Sequence, residues 1–364
     1  MRELFISKIL YFIPLFIIVY IKLYTLFIAA FKKKENLLGK DICFSVIVAV
    51  KNESNNIPTL VESINNFDYP SDKFEIILVD DNSKDNTKSV FTKLIKPGVN
   101  YSIIDAKDKI YEGKKGALNI GIKKARHPFI LITDADCRPP NKWLQYYAQM
   151  FKEGYGFIIG VSPFINSNTI ASDISCFENL RSAFLSFAIA KEGFPYNAAA
   201  RNIGFTKEAF DKVSGYKNTT ETISGDDDLL LREMVKYKIK TGLLTDRESF
   251  VYSTTKNTLP ELFTQRGRHT TTSFYYSLPV QIILGFWHLL NLLFLFSPLF
   301  LFINKLFILP FIIKLLSDVV TVLLIQKKFN YKFGLYKIPC LQICYECLLI
   351  ISFFRSIFFK NIWK

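Results

Sequence analysis

The chain has 364 residues, of which 50% are hydrophobic and 15% aromatic, and it carries a formal net charge of +14. This apolar content exceeds what a soluble protein of the same size usually needs, and the excess is concentrated at the two ends of the chain. Six cysteines in a chain of this length do not indicate a disulfide framework. No nucleic-acid-binding motif accompanies the positive charge, so we expect no nucleic-acid partner and assign the charge to membrane topology and attraction to anionic lipid.

The N-terminal end carries an apolar run, residues 9–31, which is interrupted only by Lys22. At ~1.5 Å per residue this run is long enough to span a bilayer core of ~30 Å. A cleaved signal peptide is the alternative interpretation. The run is too long for one, however, and a Lys-Lys-Lys sequence follows it in place of a small-residue cleavage site. We therefore predict a transmembrane helix within residues 1–31.

The central part of the chain, residues 32–258, alternates short apolar runs with segments of helical character. The predicted strands are residues 44–50, 74–81, 101–105 and 129–136, and the helical segments between them are residues 56–66, 84–96 and 113–126. Strands and helices that alternate at this spacing predict an α/β fold, with a mostly parallel sheet covered by helices on both faces. In such sheets, ligands bind beyond the carboxyl ends of the strands.

Acidic residues lie at the ends of several of these strands. Glu53 comes shortly after the first strand, Asp80 and Asp81 close the second, and Asp134 and Asp136 close the fourth. Since successive side chains of a strand alternate between faces, Asp134 and Asp136 are expected to point the same way. By itself this pair supports a metal site and a polar turn about equally. The acids from separate strand ends would line one crevice, which we predict to be the functional site.

The absence of several known binding motifs limits the classes of ligand that this crevice could bind. No G-x-x-x-x-G-K-[ST] motif occurs, and the glycines of residues 154–160 have the wrong spacing for a dinucleotide loop and precede a strand. The three histidines are scattered, which makes a zinc site unexpected. Carboxylates that hold a hard cation need further oxygen ligands, and a bound diphosphate supplies them. Metal-bridged diphosphate chemistry is what remains.

The C-terminal third contains further apolar runs, at residues 278–303, 306–325 and roughly 338–359. The last is the weakest candidate for a membrane span because Glu346 and Arg355 lie within it. Its three cysteines have helical spacing but no histidine nearby, which favours membrane packing over a metal cluster. These are Cys340, Cys344 and Cys347. We predict a membrane region of about three helices over residues 278–364.

The orientation of the chain follows from lysines in the short loops beside the spans. Four spans place both basic segments on one side together with residues 32–275, so that side should be the cytoplasm, and both termini lie opposite. We therefore predict an integral protein of the inner or plasma membrane, with residues 259–277 as an interfacial amphipathic helix. The lysines are Lys32, Lys33, Lys34 and Lys40 after the first span, and Lys327, Lys328, Lys332 and Lys337 between the third and fourth.

An ordered series of motifs between residues 44 and 269 resembles a known family. The motifs are SVIVAVKNESNNI (residues 45–57), ILVDDNSKDNT (77–87), GKKGALN (113–119), TDADCRP (133–139), AAARNIGFTKEAFDKVSGY (198–216), SGDDDLLLREM (224–234) and QRGRH (265–269). Together they resemble the inverting nucleotide-sugar glycosyltransferases of the large second family. That resemblance implies a GT-A fold, a nucleoside-diphosphate sugar as donor, and Mg²⁺ or Mn²⁺ as cofactor.

The resemblance also implies residue roles on the donor side. Asp136 would ligate the metal, with Asp134 on the ribose or metal side. Lys115 is as consistent with solvated surface as with a role in the site, and Asp80 or Asp81 could instead cap the following helix. The residues implied to contact or support the nucleotide are Glu53, Asp80, Asp81, Lys114, Asn119 and Asp134.

The catalytic base is implied to be one of three consecutive acids, residues 226–228. The family pattern is Glu-Asp, two variable residues and Leu. Aligning Leu230 to that leucine makes Asp227 the base, and sliding the alignment by one makes Asp226 the base. Because this sequence has Asp where the family has Glu, the alignment does not decide between Asp226 and Asp227. The alternative interpretation is that these acids cap the following helix and have no catalytic role.

The last motif departs from the family by having His269 where many relatives have tryptophan. In polymer-making relatives that tryptophan stacks on the acceptor sugar, so its loss weakens the case for a processive synthase. Gln265, Arg266 and Arg268 would contact the diphosphate or the acceptor, or the basic side chains would bind lipid headgroups.

The resemblance implies transfer of a sugar, with a UDP-sugar as the expected donor, to a lipid-linked or membrane-delivered saccharide acceptor. Such a reaction belongs to glycolipid, cell-envelope or polysaccharide synthesis. The alternatives are a processive polysaccharide synthase and an inactive membrane scaffold subunit, although a scaffold has no reason to keep every acid. A sugar nucleotidyltransferase would need a glycine- and arginine-rich phosphate loop, which the segment VAVKNESNN lacks.

Overall fold

The computed structural model describes residues 12–32 and 38–358. Residues 9–11 at the start of the first predicted span, Lys33 and Lys34 in the basic segment, and residue 359 at the end of the last span lie outside the described residues. Predictions that involve them are not addressed by the structure.

The strands of the α/β region form two sheets. They are β1 (Phe44–Val50), β2 (Phe74–Asp80), β3 (Tyr101–Asp105), β4 (Phe129–Ile132), β5 (Cys137–Arg138), β6 (Phe157–Gly160), β7 (Phe164–Ile165), β8 (Ile203–Thr206), β9 (Thr241–Leu244) and β10 (Tyr252–Thr254). The central sheet has the strand order β3-β2-β1-β4-β8-β6-β9, and a smaller sheet has the order β5-β10-β7. In the central sheet all neighbouring strands are parallel except β8, which runs antiparallel to both β4 and β6. The prediction of a mostly parallel α/β sheet is therefore confirmed.

Helices precede, cover and follow this sheet. The helices are α1 (Phe12–Ala30), α2 (Ile57–Asn65), α3 (Thr87–Leu94), α4 (Gly113–Lys124), α5 (Trp143–Lys152), α6 (Ile170–Lys191), α7 (Lys207–Lys212), α8 (Asp228–Lys236), α9 (Leu259–Thr270), α10 (Leu278–Leu295), α11 (Ile308–Ile325) and α12 (Lys337–Phe358).

The two faces of β1 bury alternate side chains in different layers, as strand geometry requires. Val46 and Val48 pack in a cluster with Leu60 of α2. Ile47 belongs to the opposite cluster, together with Leu118 of α4. Helices therefore cover both faces of the sheet. The functional site is expected at the carboxyl ends of its central strands.

The described residues contain four helices that are long and apolar enough to cross a membrane by length and composition. They are α1, α10, the segment Lys305–Phe329 that includes α11, and α12, so the prediction of one N-terminal and three C-terminal spans is confirmed. The second span ends earlier than predicted. The helix stops at Leu295, and a short 3₁₀ turn that contains Pro298 follows, because proline cannot continue a regular helix.

Charged side chains are buried among these apolar helices. Lys314 of α11 is 0% exposed, and its Nζ lies 2.8 Å from Oδ2 of Asp318 and 2.9 Å from Oε1 of Glu346. Arg181 of α6 reaches the same cluster, with Nη2 2.7 Å from Oδ1 of Asp318. Tyr20 of α1 also hydrogen-bonds Asp318. The cluster therefore joins the α/β region to the membrane helices. It also provides Lys314 as the ion-pair partner of Glu346, the acid that made the last span the weakest candidate in the sequence.

Candidate active site

The carboxyl ends of β1, β2 and β4 lie side by side. Val50, the last residue of β1, is paired with Asp80, the last residue of β2, and β4 runs parallel to β1 on its other side. The loop after β1 carries Glu53, and the turn after β4 carries Asp134 and Asp136. The acids at the strand ends therefore share one edge of the sheet.

Asp80 and Asp81 are buried at 2% and 5% exposure. Oδ2 of Asp80 accepts a hydrogen bond from the Ser83 amide at 3.1 Å, and Oδ1 of Asp81 lies 2.6 Å from Nζ of Lys109. Neither acid caps α3, because Asp85 accepts the Thr87 amide there. Oδ1 of Asp80 and Oδ2 of Asp81 are buried without a hydrogen-bond partner among the described residues. These oxygens can accept hydrogen bonds from a ligand.

The second acidic group combines Asp134 and Asp136 with the Cys137 thiol. One ligand atom of each lies within 4.8 Å of the others. Burial, followed by the charge of Asp134, raises the pKa of Asp136, and burial raises the pKa of the Cys137 thiol well above its usual value. The thiol is therefore protonated and a poor metal ligand, since metals bind the thiolate.

Glu53 adds a third carboxylate to this neighbourhood. Its Oε2 accepts a hydrogen bond from Nδ2 of Asn56 at 2.6 Å. Burial raises its pKa, and the charges of Asp136 and Asp134 raise it further. In the part of the chain that the structure describes, no lysine or arginine forms an ion pair with Asp136 within 4.0 Å. A divalent cation fits this group, because it would relieve the repulsion between neighbouring carboxylates and is bound by oxygen ligands.

Lys114, in the first turn of α4, connects this acidic group to the next one. Its Nζ lies 2.5 Å from Oδ1 of Asp134 and 3.1 Å from Oδ2 of Asp226. Burial alone would lower the pKa of Lys114, but the two carboxylates outweigh it and raise the pKa above its usual value. The lysine is therefore a fixed positive charge. Asn119 is buried further along the same helix.

Lys115 is not on the surface. The sequence left a solvated side chain as an equal alternative, but Lys115 is only 2% exposed. Its Nζ donates hydrogen bonds to the backbone carbonyls of Thr219 and Thr222, the latter at 2.9 Å. The sequence does not reveal this contact because the partners are backbone atoms of a segment distant in the chain.

The three consecutive acids before α8 lie in different environments. Burial opposes ionisation of Asp226, but Lys114 outweighs it and lowers the pKa of this carboxyl. Asp227 is the N-cap of α8 and accepts hydrogen bonds from the Asp228 amide at 2.8 Å and the Ala200 amide at 2.9 Å. Burial and the neighbouring charge of Asp226 raise the pKa of Asp227 to about 6.

Asp228 is enclosed by protein donors. Its Oδ1 accepts the Ala198 amide at 2.9 Å, and its Oδ2 accepts the hydroxyl groups of Tyr276 at 2.8 Å and Thr272 at 3.2 Å. Burial and the charge of Asp227 raise its pKa well above the usual value. Its two oxygens accept three hydrogen bonds from other segments of the chain, one more than the number accepted by Asp227.

The helix before the second span, α9, brings basic residues to the same region. Nη2 of Arg266 lies 2.7 Å from Oε2 of Glu178 in α6. Desolvation lowers the pKa of His269 well below its usual value, and the charges of Arg268, Arg266, Arg201 and Lys114 lower it further. These four cations therefore lie close enough to influence the same side chain, and His269 is neutral at pH 7. Gln265 and Arg268 are partly buried on the same helix.

Arg201 was assigned no role from the sequence. Its guanidinium lies 4.2 Å from the centre of the Phe164 ring and donates a hydrogen bond from Nη2 to the Ser162 carbonyl at 3.0 Å. Its charge also opposes the rise in the pKa of Asp136. The available signal was a single arginine after a run of alanines at residues 198–200.

Comparisons with known proteins identify the family of the chain. Residues 45–208 match the family described as Glycosyl transferase family 2, and residues 129–336 match Glycosyl transferase family group 2. The second match covers more than half of the chain.

Two curated relatives are from archaea. The chain is 28% identical over 331 residues to the dolichyl N-acetyl-alpha-D-glucosaminyl phosphate 3-beta-D-2,3-diacetamido-2,3-dideoxy-beta-D-glucuronosyltransferase of Methanococcus voltae, covering 87% of this chain and 98% of that protein. It is 26% identical over 186 residues to glycosyltransferase AglE of Haloferax volcanii, covering 50% of this chain and 58% of that protein.

A solved structure with a similar fold is that of the mannosyltransferase PcManGT from Pyrobaculum calidifontis in complex with GDP-Man and Mn²⁺. The TM-score is 0.63 at 16% sequence identity, over 99% of this chain and 98% of that one. At this identity the likeness concerns the fold alone.

Proposed function

The chain belongs to Glycosyl transferase family group 2 and is a glycosyltransferase with the GT-A fold, and from this premise we propose that it moves a sugar from a nucleoside-diphosphate sugar, expected to be a UDP-sugar, to a lipid-linked or membrane-delivered acceptor. One observation carries the proposal. Nζ of Lys114 lies 2.5 Å from Oδ1 of Asp134 and 3.1 Å from Oδ2 of Asp226. It therefore links the acids that would hold the metal and the leaving diphosphate to the acids that would accept the proton of the acceptor.

On the donor side, Glu53, Asp80 and Asp81 would accept hydrogen bonds from the nucleoside. The unpartnered buried oxygens of Asp80 and Asp81 support this role. Asn119 would support the pocket from α4. Asp136 and Asp134 would hold Mg²⁺ or Mn²⁺, which offsets the negative charge that develops on the departing diphosphate. The cationic group around His269, with Arg266 and Arg268, would attract the same phosphates.

On the acceptor side, Asp227 would be the base. In an inverting transfer the acceptor oxygen attacks the anomeric carbon, the base takes the hydroxyl proton, and the nucleoside diphosphate leaves with the electron pair of the broken bond. A pKa of about 6 makes Asp227 ionised and yet basic enough at neutral pH. Asp226 is the weaker candidate because Lys114 holds it and lowers its pKa.

The acceptor is proposed to reach the site along the membrane helices. A cavity of about 740 Å³ lies between α8 and the start of α10, and Tyr196, Tyr276 and Val280 are among its lining residues. Tyr276 is also the hydroxyl donor to Asp228, which places the cavity beside the acidic motif. The name of the M. voltae relative includes a dolichyl-linked sugar phosphate, which supports a lipid-linked acceptor. We further propose that residues 32–258 form the catalytic domain on the cytoplasmic side.

The proposal is tested by turnover on purified membranes. A panel of nucleotide sugars is supplied with and without Mn²⁺, and release of the nucleoside diphosphate and transfer to an extracted lipid fraction are measured. One donor should support transfer, chelation should abolish it, and Asp136→Asn should reduce it by at least about 100-fold because it removes a metal ligand.

The matched control is Asp211→Asn, which changes an acid on the surface helix α7 away from the acidic cluster. It should leave the rate unchanged. Turnover that survives both chelation and Asp136→Asn would exclude the metal role, and the absence of transfer from every donor would contradict the proposed activity.

A further inference from the structure

Lys115 carries a buried charge that the reaction proposed above does not use. It is 2% exposed, and within the described residues no carboxylate lies within 4.0 Å of its Nζ. A buried ammonium group is costly unless it is compensated by hydrogen bonds. Here the compensation comes from the carbonyls of Thr219 and Thr222, which Nζ contacts directly.

The segment that Lys115 holds leads directly into the acidic motif. Thr219 is completely buried, and three residues after Thr222 the chain turns at Gly225, whose φ is +83°. A Cβ at Gly225 would lie 2.6 Å from the Leu229 side chain, so the turn packs tightly on α8. Asp226 and Asp227 follow at once. Residues 219–225 therefore set where the chain enters α8, at whose N-cap Asp227 lies.

Other contacts hold this segment through the residue before it and through side chains within it, including the Glu221 carboxylate, whose Oε1 lies 2.8 Å from Nη1 of Arg232. Nη2 of Arg232 donates to the Asn218 carbonyl at 2.6 Å, which fixes the start. The hydroxyl groups of Thr222 and Thr271 lie 3.3 Å apart, which ties the segment to the 3₁₀ turn after α9. Lys115 contributes a different kind of contact, because it reaches two backbone carbonyls within the segment from α4.

We propose that Lys115 is a positioning residue, which fixes residues 219–225 through two backbone carbonyls and thereby places the Asp227 carboxylate for proton transfer. This inference rests on the proposed function. Its neighbour Lys114 pairs with the Asp226 side chain, so consecutive residues of one helical turn hold the backbone just before the acidic motif and a side chain within it. In this proposal Lys115 acts through the backbone and makes no contact with donor or acceptor.

The test compares Lys115→Met with the control Lys123→Met in the full-length protein in detergent. Met keeps the length of the aliphatic chain but removes the donor, and Lys123 is exposed on the same helix. Lys115→Met should lower kcat by about 10- to 100-fold, because small misplacement of a catalytic group has effects of this size. The KM for the nucleotide sugar should change less than about twofold, since the donor contacts are intact. The control should match the wild type.

Hydrogen exchange provides a readout that does not depend on the activity. Lys115→Met should increase deuterium uptake in peptides covering residues 216–225 and leave β1 and β2 protected, because only the segment loses its anchor. If Lys115→Met does not accumulate as folded protein, Lys115→Gln takes its place, and it should show a smaller change in the same direction because its amide can donate to one carbonyl.

The outcomes separate the inference from the proposed function. A fall in kcat with unchanged donor KM and faster exchange in residues 216–225 supports the positioning role. Unchanged exchange, or a loss explained entirely by a raised donor KM, overturns it. If wild-type protein transfers no sugar from any donor, the proposed function fails, and the exchange measurement alone then decides whether Lys115 holds the segment.

Discussion

At the scale of single residues, the acidic motif shows how identical side chains acquire different chemistry from their surroundings. Asp226 is paired with a lysine, Asp227 caps a helix through backbone donors, and Asp228 accepts hydrogen bonds from two hydroxyl groups and an amide. The three acids of the motif therefore differ: Asp226 forms an ion pair, Asp227 has a pKa near neutrality, and Asp228 links neighbouring segments.

The pKa of Asp227 predicts the pH dependence of transfer. Below about pH 6 the carboxyl is protonated and cannot accept the proton of the acceptor. We therefore expect kcat/KM to fall about tenfold per pH unit as the pH decreases through this value, and to be level above it until another group titrates. Initial rates across a pH series at saturating metal would measure this.

The matching variant is Asp227→Asn, which should bind the nucleotide sugar normally and lose transfer by about 100-fold or more, since general-base catalysis contributes ~10²–10⁴. A level pH profile across this range, or activity retained by Asp227→Asn, would assign the base to Asp226 instead.

At the scale of elements, α4 sets the distance between the sheet and the acidic motif. Its first turn carries Lys114 and Lys115, and Gly121 in its last turn lies directly on β1 and β2. A Cβ at Gly121 would come within 2.7 Å of Cγ2 of Ile47 and 2.9 Å of Cγ2 of Val79. Glycine is thus required for this close approach.

Replacing Gly121 with alanine should push α4 away from the sheet. We expect a loss of ~1–3 kcal/mol in the free energy of unfolding, as for other overpacked sites, and a lower kcat because Lys114 moves with the helix. Thermal unfolding and transfer rates measure the two effects.

The control is Gly285→Ala in α10, where a Cβ would meet nothing within 4 Å. It should be neutral or slightly stabilising, because alanine is the better helix former. Equal unfolding temperatures for both variants would show that the helix accommodates the methyl group without moving.

At the scale of the whole molecule, the buried ion pairs around Lys314 hold the α/β region and the membrane helices together. They include Arg181 of α6, and the same helix carries Glu178, the partner of Arg266 near the site. Ionisable groups within membrane-spanning helices are costly and need partners of this kind. α6 therefore connects the membrane helices with the catalytic region.

Replacing Lys314 with methionine leaves Asp318 and Glu346 with less compensation. We expect destabilisation of ~3–5 kcal/mol, as when one partner of a buried ion pair is removed. The yield of folded protein in the membrane and the unfolding temperature in detergent would fall.

Two control variants show whether the loss of stability in Lys314→Met comes from the ion pairs. Leu316→Met on the exposed face of α11 should have no effect. The double variant Lys314→Met with Glu346→Gln should lose less stability than the two single variants lose in total, because it removes both members of an oppositely charged pair. Strict additivity would mean that the two charges do not interact.

The amino-acid sequence by itself determined the α/β class, the first four strands and the helices between them, and the four apolar helices. These depend on local periodicity and length, which a sequence displays directly. Its motifs also indicated the family to which the chain belongs. Strand ends with acids were similarly visible, because residues such as Asp80 and Asp134 stand next to the strands that position them.

Only the tertiary structure decided how these groups are paired. Lys115 and Thr219 are 104 positions apart, and Arg181 and Asp318 are 137 apart. Contacts over such separations depend on how the chain is packed, so a lysine beside a site and a lysine on the surface look alike in sequence. The difference among Asp226, Asp227 and Asp228 has the same origin, because partners from other elements set the pKa of each carboxyl.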